Sequence, residues 1–385
     1  MSSPVYLDNA ATTFPKPSTV YKAMENSLKH RGGNPGRSSH ALAMAAASDL
    51  YDCRVAASNF FGLDGHGERV IFTLNTTHAL NIALKGLLHV GDHAVCSDME
   101  HNAVYRPLYH MQKEGRITFD VFDTYVDRPD RTPTMILDSL RRAMQPNTRL
   151  VVVSHASNIC GASLPLYEIG QFCRRRGVLF VVDAAQSAGH LPIDMKEMCI
   201  DALCVPGHKG LYGPQGCGML LLGERLSDLP ATLMEGGNGV DSLKGEMSDA
   251  LPERYEAGTP PTPAICGLRQ GIQFVERTGL DRIRKHEESL YDYAVQSLSH
   301  LPGISIAVPH HVGPVLLFNV DGYTSDQVAA HLDRHGICVR SGFHCAALGH
   351  RTLRTPRTGA VRASFGYFNT ERDVEALVRG VRELV

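Results

Sequence analysis

Lys209 stands in VPGHKGLYGPQG (residues 205–216), set between glycines directly behind the apolar run DALCV. An amine at a dry strand end is a nucleophile toward a carbonyl group, and flanking glycines let the backbone come close to whatever it holds. The competing reading is a lysine in a surface loop. Other apolar runs end on groups of complementary type. RVIFT is followed by Thr76 and Thr77 at the start of a helical pattern, where hydroxyls and free N–H groups suit a phosphate, or where Asn75 or Thr76 simply caps the helix. HAVCS leads to His101, RLVVVSH to Asn158, and VLFVV to Asp183 and Gln186. Singly, each reads as a cap or loop residue. Together they offer an amine, a carboxylate, a ring to stack and a cradle for an anion, which matches a flat, cationic, phosphorylated aldehyde. Pyridoxal phosphate has those features. On this reading Asp183 takes the ring nitrogen, Gln186 the phenolic oxygen, His101 the ring face, and Lys209 the aldehyde as a Schiff base.

A thiol adds a second chemistry. The chain has 10 cysteines and none forms a C-x-x-C pair, so neither a zinc ribbon nor a thioredoxin-like motif is indicated. Cys96 and Cys204 lie in apolar runs and read as small buried hydrophobes. Cys345 differs: VRSGFHCAALGH surrounds it with polar residues and glycine, beside His344 and near Arg340. A cationic, partly exposed setting makes a thiol nucleophilic. Arg362, in AVRASFG, offers a fork for a carboxylate, or is an exposed strand arginine. Although 19 histidines are present, no H-E-x-x-H spacing occurs, and no structural metal site is expected.

These residues need a scaffold that gathers strand ends. Short β-rich runs at 69–73, 93–97, 117–122, 149–155, 178–183 and 201–205 alternate with helical patterns at 77–89, 103–114, 134–144 and 165–176. That alternation predicts an α/β fold with a mainly parallel sheet buried on both faces, whose ligands bind beyond the carboxyl ends of the strands. GMLLLG (218–223) predicts a further strand, antiparallel because only a short turn precedes it. Helices are expected at 17–30 and 40–61, the latter ended by Gly62. Residues 224–263 read as irregular and functional or interfacial. A long helical stretch (264–301), three β-rich runs, a helix near 324–335, GAVRASFG and a helix at 370–384 predict a smaller βαβ-like α+β domain. The expected division is a large cofactor-binding domain over 17–255 and a small domain, 1–16 with 256–385, carrying Cys345. Lys plus Arg total 38 against 40 Asp plus Glu, a formal charge of -2 that argues against nucleic acid or an anionic membrane as partner. No charged n-region with an apolar stretch opens the chain and no apolar run of about 18 residues occurs, so a cytoplasmic enzyme is expected.

Read end to end, the chain resembles the cysteine desulfurases, class V aminotransferase-like enzymes of fold-type I that use pyridoxal phosphate. YLDNAATTFPKP, GGNPGR, EHNAVYRPL, SHASNICG, DAAQSAGH, GHKGLYGPQG, RYEAGTP, RSGFHCA and GAVRASFGYFNT follow in family order. The resemblance implies a sheet of seven strands and a homodimer, with Lys209 on the cofactor aldehyde, Asp183 on the pyridine nitrogen, Gln186 on the phenolic oxygen and His101 on the ring. Thr76, Thr77 and His208 would take the phosphate, and Thr259 would reach the phosphate of the neighbouring subunit. Arg362 would pair with the substrate carboxylate, Asn158 and Arg340 would lie near it, and Cys345 would carry a persulfide. The implied reaction converts L-cysteine to L-alanine and passes sulfur to an acceptor protein. Sixteen residues separate Cys345 from Arg362, which resembles the short-loop group linked to iron–sulfur cluster assembly. Pro206 replaces the usual Ser or Thr beside the His-Lys pair, removing one phosphate hydrogen bond. Phe343 replaces a frequent His, which bears on substrate and acceptor preference. The alternatives are a selenocysteine or cysteine-sulfinate lyase of the same fold, and a non-catalytic scaffold.

Overall fold

The chain opens with the short strand β1 (Val5–Tyr6) and the helices α1 (Ser18–His30) and α2 (Ala41–Phe60). The computed structural model describes residues 4–36, 39–226, 231–308, 313–355 and 357–385; Arg37, which closes the GGNPGR motif, lies outside them. The alternation follows as β2 (Val70–Thr73), α3 (Thr76–Leu87), β3 (His93–Ser97), α4 (Asn102–Lys113), β4 (Thr118–Phe122), α5 (Pro133–Ala143), β5 (Thr148–Ser154), α6 (Leu166–Arg175), β6 (Leu179–Asp183), β7 (Ala202–Pro206) and β8 (Gly218–Leu222). These strands form one seven-stranded sheet in the order β2-β8-β7-β6-β5-β3-β4. It is parallel except for β8, which runs antiparallel to both β2 and β7.

Period-2 alternation explains why the strands read as continuous apolar runs. Leu150, Val152, Leu179, Val181, Ala202 and Cys204 pack on one face, while Val151, Val153, Phe180, Val182, Leu203 and Val205 pack on the other. Both faces are dry because helices cover both, so Cys96 and Cys204 are fully buried fillers.

The C-terminal part holds α7 (Thr262–Thr278), α8 (Leu280–Ser299), β9 (Ile304–Ile306), β10 (Val315–Val320), α9 (Ser325–Arg334), β11 (Ile337–Cys338), β12 (Arg340–Gly342), α10 (Ala347–Thr352), β13 (Ala360–Ser364) and α11 (Glu371–Arg382). The helical stretch expected as one unit is two helices, broken at Gly279, whose φ of +88° no helix contains. The β–α–β expectation is met in split form. β13 inserts antiparallel to both β10 and β12, giving the order β12-β13-β10-β9. GICVRS divides between two sheets: β11 pairs in parallel with β1, and β12 joins β13. A separate apolar core, including Leu316, Phe318, Leu332, Val361 and Val374, lies under this part. Between 231 and 261 the only regular element is a 3-10 turn at Glu253–Tyr255.

Candidate active site

The carboxyl ends of the strands open on a cleft of about 500 Å³ including its mouth. The turn from β2 into α3 supplies Thr76 and Thr77, the turn after β3 supplies His101, and β5 is followed by Asn158. Asp183 is the last residue of β6, Gln186 follows it, and β7 leads into His208 and Lys209. The glycines beside Lys209 are a packing requirement: a Cβ on Gly210 would collide with the carbonyl of Ala188, and one on Gly207 would come within 2.8 Å of Cys217 O. Pro206 lines the cleft as well.

Electrostatics separate the titratable groups. Burial pushes the Lys209 amine down to about 8, against the pull of Asp183, and the Arg362 charge adds to the depression. Burial pushes Asp183 up to about 6, although its carboxylate accepts the Ala185 N–H at 2.9 Å. Burial, with the charges of Lys209, Arg362 and Arg106, holds His101 down at about 4. His101 caps α4, its Nδ1 accepting from Ala103 N–H at 3.0 Å, so the neutral ring carries its proton on Nε2.

At the helix start, Asn75 performs the capping, accepting from His78 N–H at 2.9 Å. The buried Thr76 Oγ1 and His208 Nδ1 are left without partners. A buried donor without an acceptor is costly. A phosphate at the N-terminus of α3 would satisfy these groups, and the carboxylate of Asp183 and the amine of Lys209 suit the rest of pyridoxal phosphate. Gln186 uses one amide proton on Ala10 O at 2.9 Å. Thr259 is exposed and does not line this cleft.

The thiol and arginines are tied to the cleft through Asn158. Its carbonyl accepts from Arg362 at 3.0 Å, and its amide donates to His344 O at 2.7 Å. His344 and Cys345 are consecutive residues at φ +49° and +54°, a left-handed pair that non-glycine residues rarely adopt. The strain is held by that bond and by Asn102 N–H donating to Cys345 O at 2.7 Å. Cys345 itself is exposed, whereas burial and the Arg362 charge push His344 down to about 3. Phe343 is exposed beside it, edge-on to His350.

Three further residues carry the arrangement without having been singled out by local sequence. Arg340 and Arg362 are direct cross-strand partners, a like-charge pair that needs an anion. Asp8 supplies it, bonding Arg362 at 2.8 Å and Arg340 through a fork at 2.8 and 3.0 Å. Replacing Asp8 by alanine is expected to lower stability by about 3 kcal/mol, because Arg362 would be left as an uncompensated buried charge. Urea denaturation checks this; an unchanged midpoint refutes it. Lys16, pushed down to about 7 by burial, donates to His208 O at 2.6 Å. Glu100, pushed up to about 7 by burial, accepts the Ser154 N–H and hydroxyl, each at 2.9 Å, and so fixes the end of β5. Asp8 and Lys16 both lie in YLDNAATTFPKP, the one available signal; Glu100 adjoins His101.

A mainly parallel sheet with a half-buried lysine, a buried carboxylate and an anion cradle at its strand ends defines a pyridoxal-phosphate enzyme of fold-type I. The family model for class V aminotransferases matches residues 5–377. A probable cysteine desulfurase of Methanothermobacter thermautotrophicus is 33% identical over 99% of this chain and 94% of its own, and a cysteine desulfurase of Salmonella agona is 31% identical over 98% and 93%. The solved apo cysteine desulfurase of Thermococcus onnurineus superposes with a TM-score of 0.88 at 32% identity, covering 99% of this chain and 94% of that one. One from Escherichia coli superposes at 0.85 with 26% identity, over 99% and 94%. The chain belongs to the class V aminotransferase family, and within it to the cysteine desulfurases.

Proposed function

We propose that this protein converts L-cysteine to L-alanine and moves the sulfur, as a persulfide on Cys345, to an acceptor protein that serves iron–sulfur cluster assembly. The observation that carries the reading is the double use of Asn158, which joins the arginine fork, the thiol turn and the lysine cleft. Pyridoxal phosphate, when bound, supplies an electron sink that makes the substrate's Cα proton removable and its C–S bond labile. Thr76, Thr77 and His208 would hold its phosphate, Asp183 would keep the ring nitrogen protonated, Gln186 would donate to the phenolic oxygen and His101 would cover the ring. Arg362 holds the substrate carboxylate with Asn158 and Arg340 beside it, and the Lys209 amine takes the Cα proton. Cys345, as thiolate, attacks the substrate sulfur; an S–S bond forms as the Cβ–S bond breaks. The bonding pair remains with the carbon skeleton, which takes protons and leaves as alanine.

The active unit is proposed as a homodimer. Leu28 on α1 and Leu42, Met44 and Tyr51 on α2 are exposed apolar side chains that a partner subunit would cover. Thr259 lies between Gly258 and Pro260, which line a second cleft against Tyr51, on that same side. From there Thr259 would reach the partner's phosphate. The division into a large domain (17–255) and a small one (1–16 with 256–385) is proposed on the separate apolar core of the C-terminal part, while α7 sends Ile265, Leu268 and Ile272 into the core of the large sheet. A cytoplasmic location is proposed on the 10 unpaired cysteines, as a reducing compartment would leave them.

The test is product release from L-cysteine and, in parallel, L-selenocysteine by cofactor-loaded protein. Alanine matched by reductant-stimulated sulfide is the expected result. Alanine from selenocysteine alone would replace this reading with a lyase, and none from either would replace the substrate.

A further inference from the structure

We propose that His331, His335 and Glu383 form a binding site for a divalent transition-metal ion of the zinc type, which clips α9 to the end of α11. The two histidines are one helical turn apart, so both rings leave the same face of α9, with centroids 4.6 Å apart. His335 Nδ1 lies 2.9 Å from His331 O. A carbonyl only accepts, so that nitrogen carries a proton, the orientation that metal-ligating imidazoles receive from a carbonyl partner; Nε2 faces the Glu383 carboxylate, and an ion there takes the place of the proton the two share.

The distances suit a small tetrahedral ion. Glu383 Oε2 is 3.1 Å from His335 Nε2 and 3.5 Å from His331 Nε2. Zinc bonds of about 2.0–2.1 Å at a tetrahedral angle set neighbouring ligand atoms about 3.3 Å apart. Both histidine–carboxylate separations therefore already lie near the bound value. All ligand atoms fall within 4.8 Å of one another, so only the two imidazoles must draw closer. His331 Nε2 also meets Gly380 O at 3.1 Å, a carbonyl of the last turn of α11. An ion there replaces the proton of that contact, the imidazole holding its remaining proton on Nδ1.

The surrounding backbone favours positive charge. His335 follows the last residue of α9 and Glu383 follows that of α11, so the negative ends of both helix dipoles meet at the cluster. Imidazole nitrogen and carboxylate oxygen are zinc donors, which narrows the ion class. H-E-x-x-H patterns miss this cluster because the carboxylate comes from another helix, at position 383 against 331 and 335. None of the three residues lines the lysine cleft.

Calorimetric titration with zinc sulfate tests the site on full-length, cofactor-loaded protein carrying Cys345→Ser, which removes the exposed thiol as a competing ligand. Adding His335→Ala or Glu383→Gln should weaken one zinc equivalent by at least about tenfold. Zinc should raise the thermal midpoint of the parent and not of either variant. Cobalt in the parent should give the visible absorption of a four-coordinate ion without thiolate charge transfer. Equal zinc affinity and stoichiometry in parent and variants would overturn the proposal and leave an ordinary ion-pair cluster. With Cys345 intact, His335→Ala should leave sulfide formation unchanged.

Discussion

Lys209→Ala is expected to abolish turnover, by at least about 10³-fold, while the chain still folds. The amine is the one group in the cleft able both to anchor an aldehyde and to accept a carbon-bound proton at neutral pH, because burial has brought it from 10.5 down to about 8. The same depression fixes the sign of the stability effect. The folded apoprotein holds this proton less tightly than the unfolded chain, so the charged lysine costs stability below pH 8, and the cost fades as pH rises from about 8 toward 10.5. The alanine variant should therefore be the more stable apoprotein at pH 7, with its urea midpoint raised. In the unmodified chain, the rate at which apoprotein takes up pyridoxal phosphate should climb with pH and level off above about 8, as the neutral amine becomes the dominant form. A variant that retained turnover, or an uptake rate flat with pH, would remove Lys209 from its assigned place.

Cys345→Ser should bind the cofactor and L-cysteine normally, and should lose sulfide and alanine formation by more than about 10³-fold. The substitution is conservative in shape. The turn at 344–345 is held by backbone bonds to Asn158 and Asn102, which a serine leaves intact. What is lost is the soft nucleophile, since a hydroxyl does not displace carbon from the substrate sulfur. The readouts separate chemistry from binding. The cofactor's visible band should still respond to L-cysteine, and mass spectrometry should find an extra sulfur on Cys345 of the parent and none on the variant. Normal turnover by the serine variant would assign the sulfur to water or to another thiol.

The sequence by itself determined the frame of this protein. Apolar strand runs alternating with helical patterns specify a sheet covered on both faces, and the residues following each run specify what gathers at the strand ends, because the strand and helix periodicities are local properties. Lys209, Asp183, Thr76 and His101 were legible for that reason, and the ordered motifs gave Cys345 and Arg362. Only the tertiary structure decided how these parts are held. Asp8 meets Arg340 and Arg362 from the far end of the chain, Asn158 ties a strand end to the thiol turn, and His344 and Cys345 adopt a backbone that neither residue favours alone. The break at Gly279 and the insertion of β13 between β10 and β12 belong with them. The physical reason is common to all of these. A charge pair, a strained turn or a strand insertion is stabilised by partners distant in the chain, and no periodicity near either partner records the other.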